Sequence, residues 1–180
     1  MNKGKLKYKQ MKNNAIYAKA QMGIHKPAAE VFEAFVDPAI TRNFWFTGGT
    51  GRLKVNQPVE WEWEMYQLKV PAVAKIVEPP EKLVFEWGSP AKTVEILFHA
   101  LEPAFTWVDI TERGPVGEDG VPAAEAIIDS TGGFTTVLDG MKAYLEHGLH
   151  LNLIKDKYPK AAITHGKADQ QVQRPSSAGT

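Results

Sequence analysis

The stretch VEWEWEM, residues 59–65, decides the fold. Val59, Trp61, Trp63 and Met65 alternate with three glutamates, so apolar side chains face one side and carboxylates the other. This period is typical of a strand that has one dry face and one wet face, as in an antiparallel sheet. A dry face that carries two indoles needs a second layer of structure to cover it.

Further strands flank this one in the sequence. Alternating or β-rich runs predict strands at residues 15–24, 70–77, 82–87, 93–101 and 105–113. Short turns that contain proline or glycine separate the last four of them. Because strands with such short connections pair as antiparallel neighbours, we expect one antiparallel sheet.

Two short helices are predicted directly after the first strand. Pro27 suits the first turn of a helix, and Asp37 with Pro38 stops that helix. Pro38 then opens a second short helix that runs to about residue 43.

One long helix is predicted near the C-terminus. From Thr131 onward apolar residues return at helical spacing, with Ser130 as the expected N-cap and Gly148 as the C-cap. This is the one predicted element long enough to cover the dry face of the sheet. We therefore expect an α+β helix-grip fold: a curved antiparallel β-sheet wrapped around a long C-terminal α-helix.

The composition excludes several classes of function. The 180 residues carry 21 basic and 21 acidic side chains and no cysteine. The balanced charge removes the field that a nucleic-acid binder needs, and the lack of cysteine excludes disulfides, thiolate metal sites and a cysteine nucleophile. No apolar run is long enough to span a membrane, so we predict a cytoplasmic protein without membrane insertion.

The predicted domain occupies residues 14–158. Residues 1–13 are rich in lysine and are expected to form a basic flexible tail. Residues 159–180 lose the apolar period and are expected to be disordered.

Three segments resemble a known family: HKPAAEVFEAFVDPAITRNFW at residues 25–45, VAKIVEPPEKLVFEW at 73–87 and GMKAYLEHGL at 140–149. They are similar to the bacterial homologues of the activator of heat-shock protein 90 ATPase, within the START-like (SRPBCC) superfamily. The resemblance implies the helix-grip fold and a space between sheet and helix, which in that superfamily often holds an apolar ligand. The chain departs from the pattern by an insertion at 117–130 and by a hydrophobic extension after Gly148.

The resemblance and the strand parity together define a candidate ligand cavity. We expect a small hydrophobic molecule there, a lipid or an aromatic metabolite. Two alternatives stay open: a packed core with a protein-interaction or co-chaperone-like role that includes chaperone contact, and a cyclase-like or hydrolase-like enzyme that uses the same cavity. The expected cavity residues are Trp45, Trp61, Trp63, Met65, Phe85, Trp87, Phe98, Phe134, Leu138 and Met141.

No catalytic, metal or cofactor site is predicted. His147 and His150 have helical spacing, but no third ligand accompanies them as a zinc site requires. Ser89 lies in a turn, and no serine stands in a nucleophile elbow. The three glutamates of residues 59–65 oppose the tryptophans in parity and are expected to face water.

The outer face of the sheet carries an apolar strip. Phe105 and Trp107 have the parity opposite to the buried positions of their strand, as do Leu97 and Leu101. An exposed strip of this kind needs a cover. We expect either a homodimer or docking of the extension at residues 149–158.

Overall fold

The computed structural model describes residues 17–114, 123–157 and Pro159. The predicted tails lie outside these residues, apart from Pro159. The strands are β1 Ala18–Ile24, β2 Gly48–Gly49, β3 Pro58–Trp63, β4 Leu68–Glu78, β5 Lys82–Trp87, β6 Lys92–Glu102 and β7 Phe105–Arg113. The helices are α1 Ala28–Val36, α2 Pro38–Thr41, α3 Ala123–His147 and α4 Leu153–Lys157, and Glu64–Tyr66 forms a 3-10 turn.

The strands form a single sheet in the order β1-β7-β6-β5-β4-β3-β2, and all neighbours are antiparallel. One face is dry: in β7, Thr106, Val108 and Ile110 are fully buried, whereas the residues between them are half-buried. The long helix α3 covers this face and runs along β1. The predicted helix-grip fold is confirmed.

The strand at the centre of the sequence argument ends earlier than expected. β3 stops at Trp63, and the chain turns through a 3-10 segment that closes at Gln67, whose φ is 53°. The expected continuation of the strand to Met65 is therefore wrong, because the chain must reverse here to start β4. Met65 lies in the turn, half-buried against the core.

The short helices begin and end where proline and aspartate dictate. Pro27 precedes α1, and the Asp37 side chain accepts the N–H of Ala39 at 2.8 Å, which caps α2. The buried Thr41 hydroxyl donates to the carbonyl of Ala34 at 2.6 Å and ties the two helices together. Both helices are confirmed.

The long helix starts eight residues before the predicted position. It begins at Ala123, so Ser130 lies inside it, and the expected capping role of Ser130 is wrong. The Ser130 hydroxyl instead donates to the Glu112 carboxylate at 2.7 Å. Of the expected insertion at 117–130, residues 117–122 lie outside the described part, and the rest is helical.

The end of α3 is tied to β1 by a carboxylate. The N–H of His25 donates to Glu146 at 2.7 Å, and the Lys142 ammonium lies 2.6 Å from the same oxygen. Burial alone would raise the pKa of Glu146, but these two partners outweigh it and hold the pKa below its ordinary value. A lowered folded-state pKa adds stability at neutral pH that is lost as the pH falls through that pKa.

The extension after α3 does not cover the outer strip. Gly148, with φ 66°, ends α3, and its N–H bonds to the carbonyl of Tyr144 at 2.8 Å, as predicted for a C-cap. The chain then forms α4, which packs against α3 and against Tyr66. The expected docking of this segment on the outer face is thus wrong for the described residues. None of the helices described has the length and apolar character needed to cross a membrane.

Candidate functional site

The aromatic residues predicted to line a cavity meet at one centre. The Trp45 ring lies between the sheet and α3, with ring centroids of Trp61, Trp87, Phe134 and Phe85 at 5.1, 5.8, 5.9 and 6.3 Å. Rings at these separations are in contact. No further molecule fits between these particular rings.

Trp63, Leu138 and Met141 continue this interior. Trp63 is buried and its ring contacts that of Trp87 at 6.4 Å. Leu138 and Met141, on the face of α3 that meets the sheet, are both fully buried. They belong to the same core, in which a large-to-small change costs about 2 to 5 kcal/mol.

Phe98 lies in a different part of the core. Its ring packs against Phe32 and Phe35 of α1, at centroid separations of 5.3 and 5.7 Å. The structure therefore places Phe98 under the short helix and not in the Trp45 cluster.

A buried carboxylate stands at the edge of the cluster, and the sequence prediction missed it. Glu112, 4% exposed, is the one buried charged side chain among the described residues. Three groups contact it: the Trp87 indole N–H at 2.8 Å, the Ser130 hydroxyl at 2.7 Å and the Lys92 ammonium at 3.3 Å. Strand parity is the signal that points to it: Glu112 has the same parity as Val108, which places its side chain on the dry face.

The energetics of this site are those of a charge held away from water. An isolated buried carboxylate is strongly unfavourable, and it is tolerated when it is paired and hydrogen-bonded. Trp87, Ser130 and Lys92 come from β5, α3 and β6, so the carboxylate of Glu112 connects the sheet to the helix. With three donors on two oxygens it keeps acceptor capacity for one more partner.

The side chains that border Glu112 are only partly covered. Trp87 and Ser130 are half-buried, as are Met65 and Tyr66 at the end of β3. On the face of α3 that meets the sheet, Ile127 and Ser130 are half-buried, whereas Phe134, Leu138 and Met141 are buried. The first half of α3 thus covers the sheet less completely than the second half.

The imidazoles of the described residues lie away from Glu112. His25 stacks on Phe105 at a centroid separation of 4.7 Å, and His147 lies 3.8 Å from Glu146 at the end of α3. Ser130 has a carboxylate partner but no imidazole base of the kind that serine nucleophiles use. The arrangement at Glu112 can therefore bind and orient a polar group.

Comparisons with known proteins agree with this architecture. The sequence profile of the family described as Activator of Hsp90 ATPase homolog 1-like protein matches residues 25–146. Among curated proteins, none matches the chain by sequence.

Solved structures with this fold include three informative ones. Protein SSP2350 from Staphylococcus saprophyticus is 27% identical, with a TM-score of 0.66 over 76% of this chain and 96% of that chain. The Aha1 dimer from Colwellia psychrerythraea is 12% identical, with a TM-score of 0.63 over 74% and 98% of the two chains. PFC0360w, an HSP90 activator from Plasmodium falciparum, is 17% identical, with a TM-score of 0.59 over 73% and 97%.

Proposed function

The chain belongs to the family of Activator of Hsp90 ATPase homolog 1-like proteins, and we propose that it binds a small hydrophobic molecule between the sheet and the first half of α3. The polar end of that molecule bonds to Glu112, and its apolar body rests on Trp87 and neighbouring side chains. The observation that carries the proposal is the burial of Glu112 on the dry face of the sheet, in contact with side chains that are only half-buried.

A core that only stabilises the fold does not need a buried carboxylate. Replacing a buried ionic group by apolar residues of similar volume is often neutral or stabilising, so packing alone gives no reason to keep a carboxylate there. Ligand pockets, in contrast, are mostly apolar with a few placed polar groups that orient the ligand. Glu112 among aromatic rings fits the second description.

The size of the ligand is limited by the aromatic cluster. Because the rings around Trp45 contact one another, the ligand occupies the side of the cluster where Trp87, Met65 and Tyr66 are half-buried. This space suits a compact aromatic molecule with a hydrogen-bond donor. Of the cavity residues expected from the sequence, the proposal accordingly keeps those near Trp87.

The test uses two probes of almost the same shape. N-phenylnaphthylamine has a bridging N–H that can donate to Glu112, and benzylnaphthalene has a CH2 at that place. We expect the wild-type chain to bind the amine about tenfold more tightly, the value of a hydrogen bond of roughly 1.4 kcal/mol. Native mass spectrometry measures both, and fluorescence titration measures the amine.

A triple variant separates recognition from folding. Glu112→Leu with Trp87→Phe and Ser130→Ala replaces the carboxylate and two of its donors by apolar groups, so no buried polar group of these three stays unpaired. It should fold, bind both probes equally and lose the preference for the amine. Phe98→Leu, in the other part of the core, should lower stability and keep the preference. Failure of wild-type protein to bind either probe would refute the proposal.

A second candidate is protein interaction through the outer face. Leu101 is 59% exposed, and Phe105, Trp107 and Leu97 beside it are half-buried. An apolar strip of this kind suits a second copy of the chain or another protein. Two structural neighbours are described as an HSP90 activator and as an Aha1 dimer, and a role of this surface in protein interaction agrees with both descriptions.

A further inference from the structure

A lysine stands at the end of the dry face, next to the buried carboxylate. Lys92 has the same parity in β6 as Val94 and Ile96, which are fully buried. It lies opposite Trp87 of β5 in the register of the two strands, so both side chains leave the same face of the sheet at the same end. Lysine is almost never placed on a dry face unless it has a partner there.

The backbone at Gly114 fixes the direction of this lysine. A Cβ atom at position 114 would lie 2.9 Å from Cα and 3.0 Å from Cγ of Lys92. These distances are shorter than van der Waals contacts, so the chain can pass here only as glycine. The aliphatic part of Lys92 is therefore packed, and its ammonium reaches the carboxylate of Glu112 at 3.3 Å.

The two charges of this pair differ in their access to solvent. The side chain of Lys92 is 30% exposed, whereas that of Glu112 is 4% exposed. The carboxylate is enclosed by the Trp87 indole and the Ser130 hydroxyl. A molecule that enters from solvent therefore meets the positive charge first, although the pair as a whole is neutral.

The ammonium of Lys92 also has donors to spare. Its distance of 3.3 Å to Glu112 is longer than the 2.8 Å between Lys82 and Glu95 on the other face of the sheet. A lysine ammonium has three donors, and Glu112 is its one hydrogen-bond partner among the described residues. Two donors are thus available to a further acceptor on the solvent side.

We propose that Lys92 binds an anionic group of the ligand, which is then an aromatic acid that also carries a neutral hydrogen-bond donor. The donor bonds to Glu112, and the carboxylate or sulfonate of the acid pairs with Lys92. This inference rests on the proposed function, because it assigns the charge of the molecule bound at the same site. With hydrogen bonds of ordinary length on both sides of the 3.3 Å pair, donor and acid lie within about 9 Å of each other.

The test compares two dyes that differ by one anionic group. In 2-(p-toluidino)naphthalene-6-sulfonate the amine N–H and the sulfonate lie on different rings of naphthalene, and N-(p-tolyl)-2-naphthylamine lacks the sulfonate. Fluorescence titration of the full chain gives the dissociation constant of each dye. In Lys92→Met the affinity for the sulfonate should fall about tenfold more than the affinity for the uncharged dye, the value of one partly exposed charge-assisted hydrogen bond. Lys92→Arg keeps the cation and should retain most of the preference.

A second background separates anion binding from neutralisation of the buried carboxylate. In Glu112→Gln no buried charge is left to neutralise, and addition of Lys92→Met to this chain should still weaken binding of the sulfonate about tenfold relative to the uncharged dye. Lys82→Met is the matched control, since the Lys82 side chain is also 30% exposed but pairs with Glu95 on the outer face. This control should change the affinity for neither dye. Added salt should weaken binding of the sulfonate alone.

The possible results separate the anion site from the proposed function. Equal effects of Lys92→Met on the two dyes would overturn the anion site and leave the proposed function standing. The same conclusion holds if the effect disappears in the Glu112→Gln background, or if Lys82→Met weakens binding of the sulfonate as much. Failure of the wild-type chain to bind either dye would overturn both proposals.

Discussion

Removal of the buried carboxylate gives the strongest single test of the site. In Glu112→Ala the Trp87 indole N–H loses its acceptor while it stays partly enclosed, which costs about 1 to 3 kcal/mol. Ser130 and Lys92 contribute less, because the lysine side chain is 30% exposed and both groups can turn toward water. We therefore expect a loss of about 2 to 3 kcal/mol, below the 3 to 5 kcal/mol typical of a fully buried ion pair.

Urea denaturation, monitored by circular dichroism, measures this loss of stability when wild type and variant have the same m-value. For a chain of this size it corresponds to a fall in melting temperature of roughly 4 to 12 °C. A double-mutant cycle of Glu112→Gln and Trp87→Phe should give a coupling energy of at least about 0.5 kcal/mol. If Glu112→Ala costs less than about 0.5 kcal/mol and the cycle shows no coupling, the carboxylate does not connect sheet and helix.

Four further predictions concern the helix and the outer face. Gly133→Ala should stabilise the protein by up to about 1 kcal/mol, because alanine is the better helix former and its methyl group meets open space. Gly140→Ala should lose that gain, because the methyl group would lie 3.2 Å from Cβ of Phe44; equal melting temperatures would contradict this difference. Glu146→Gln should reduce the free energy of unfolding at neutral pH by about 1 kcal/mol, and the loss of stability below about pH 4 should become smaller. Denaturation at several pH values measures both effects, and a pH profile equal to that of the wild type would refute the role of this carboxylate. Trp107→Glu should shift the chain from dimer to monomer in sedimentation velocity, and a wild-type monomer at tens of micromolar would exclude the predicted homodimer.

The sheet was the most predictable part of the fold. The bounds of β5 and β7 agree with the sequence prediction, since strict alternation between turns leaves one register that buries the apolar face. The error at Met65 has a local cause: the apolar alternation continues past the point where the backbone turns. Gln67 in a left-handed conformation gives no clear signal, because glutamine is uncommon there.

The start of α3 and the role of Glu112 were not predictable from local pattern. Gly132 and Gly133 lower helix propensity and suggest a boundary, but tertiary contacts carry the helix through them. Glu112 depends on Trp87 and Ser130, which are 25 and 18 residues away in sequence. Carboxylates usually face water, so strand parity alone does not predict that Glu112 is buried as long as these distant partners are unknown.

The two halves of α3 differ in how firmly they are held to the sheet. Its second half is anchored by fully buried Leu138 and Met141, whereas its first half is tied to the sheet by Ser130 and Glu112 and contains two adjacent glycines. Because stability differs along one helix, the first half can shift while the second half keeps the fold. A ligand that orders the first half must offset the entropy of that ordering, which lowers its affinity. Gly133→Ala stiffens this half of the helix, so the variant should bind N-phenylnaphthylamine more tightly than the wild type does.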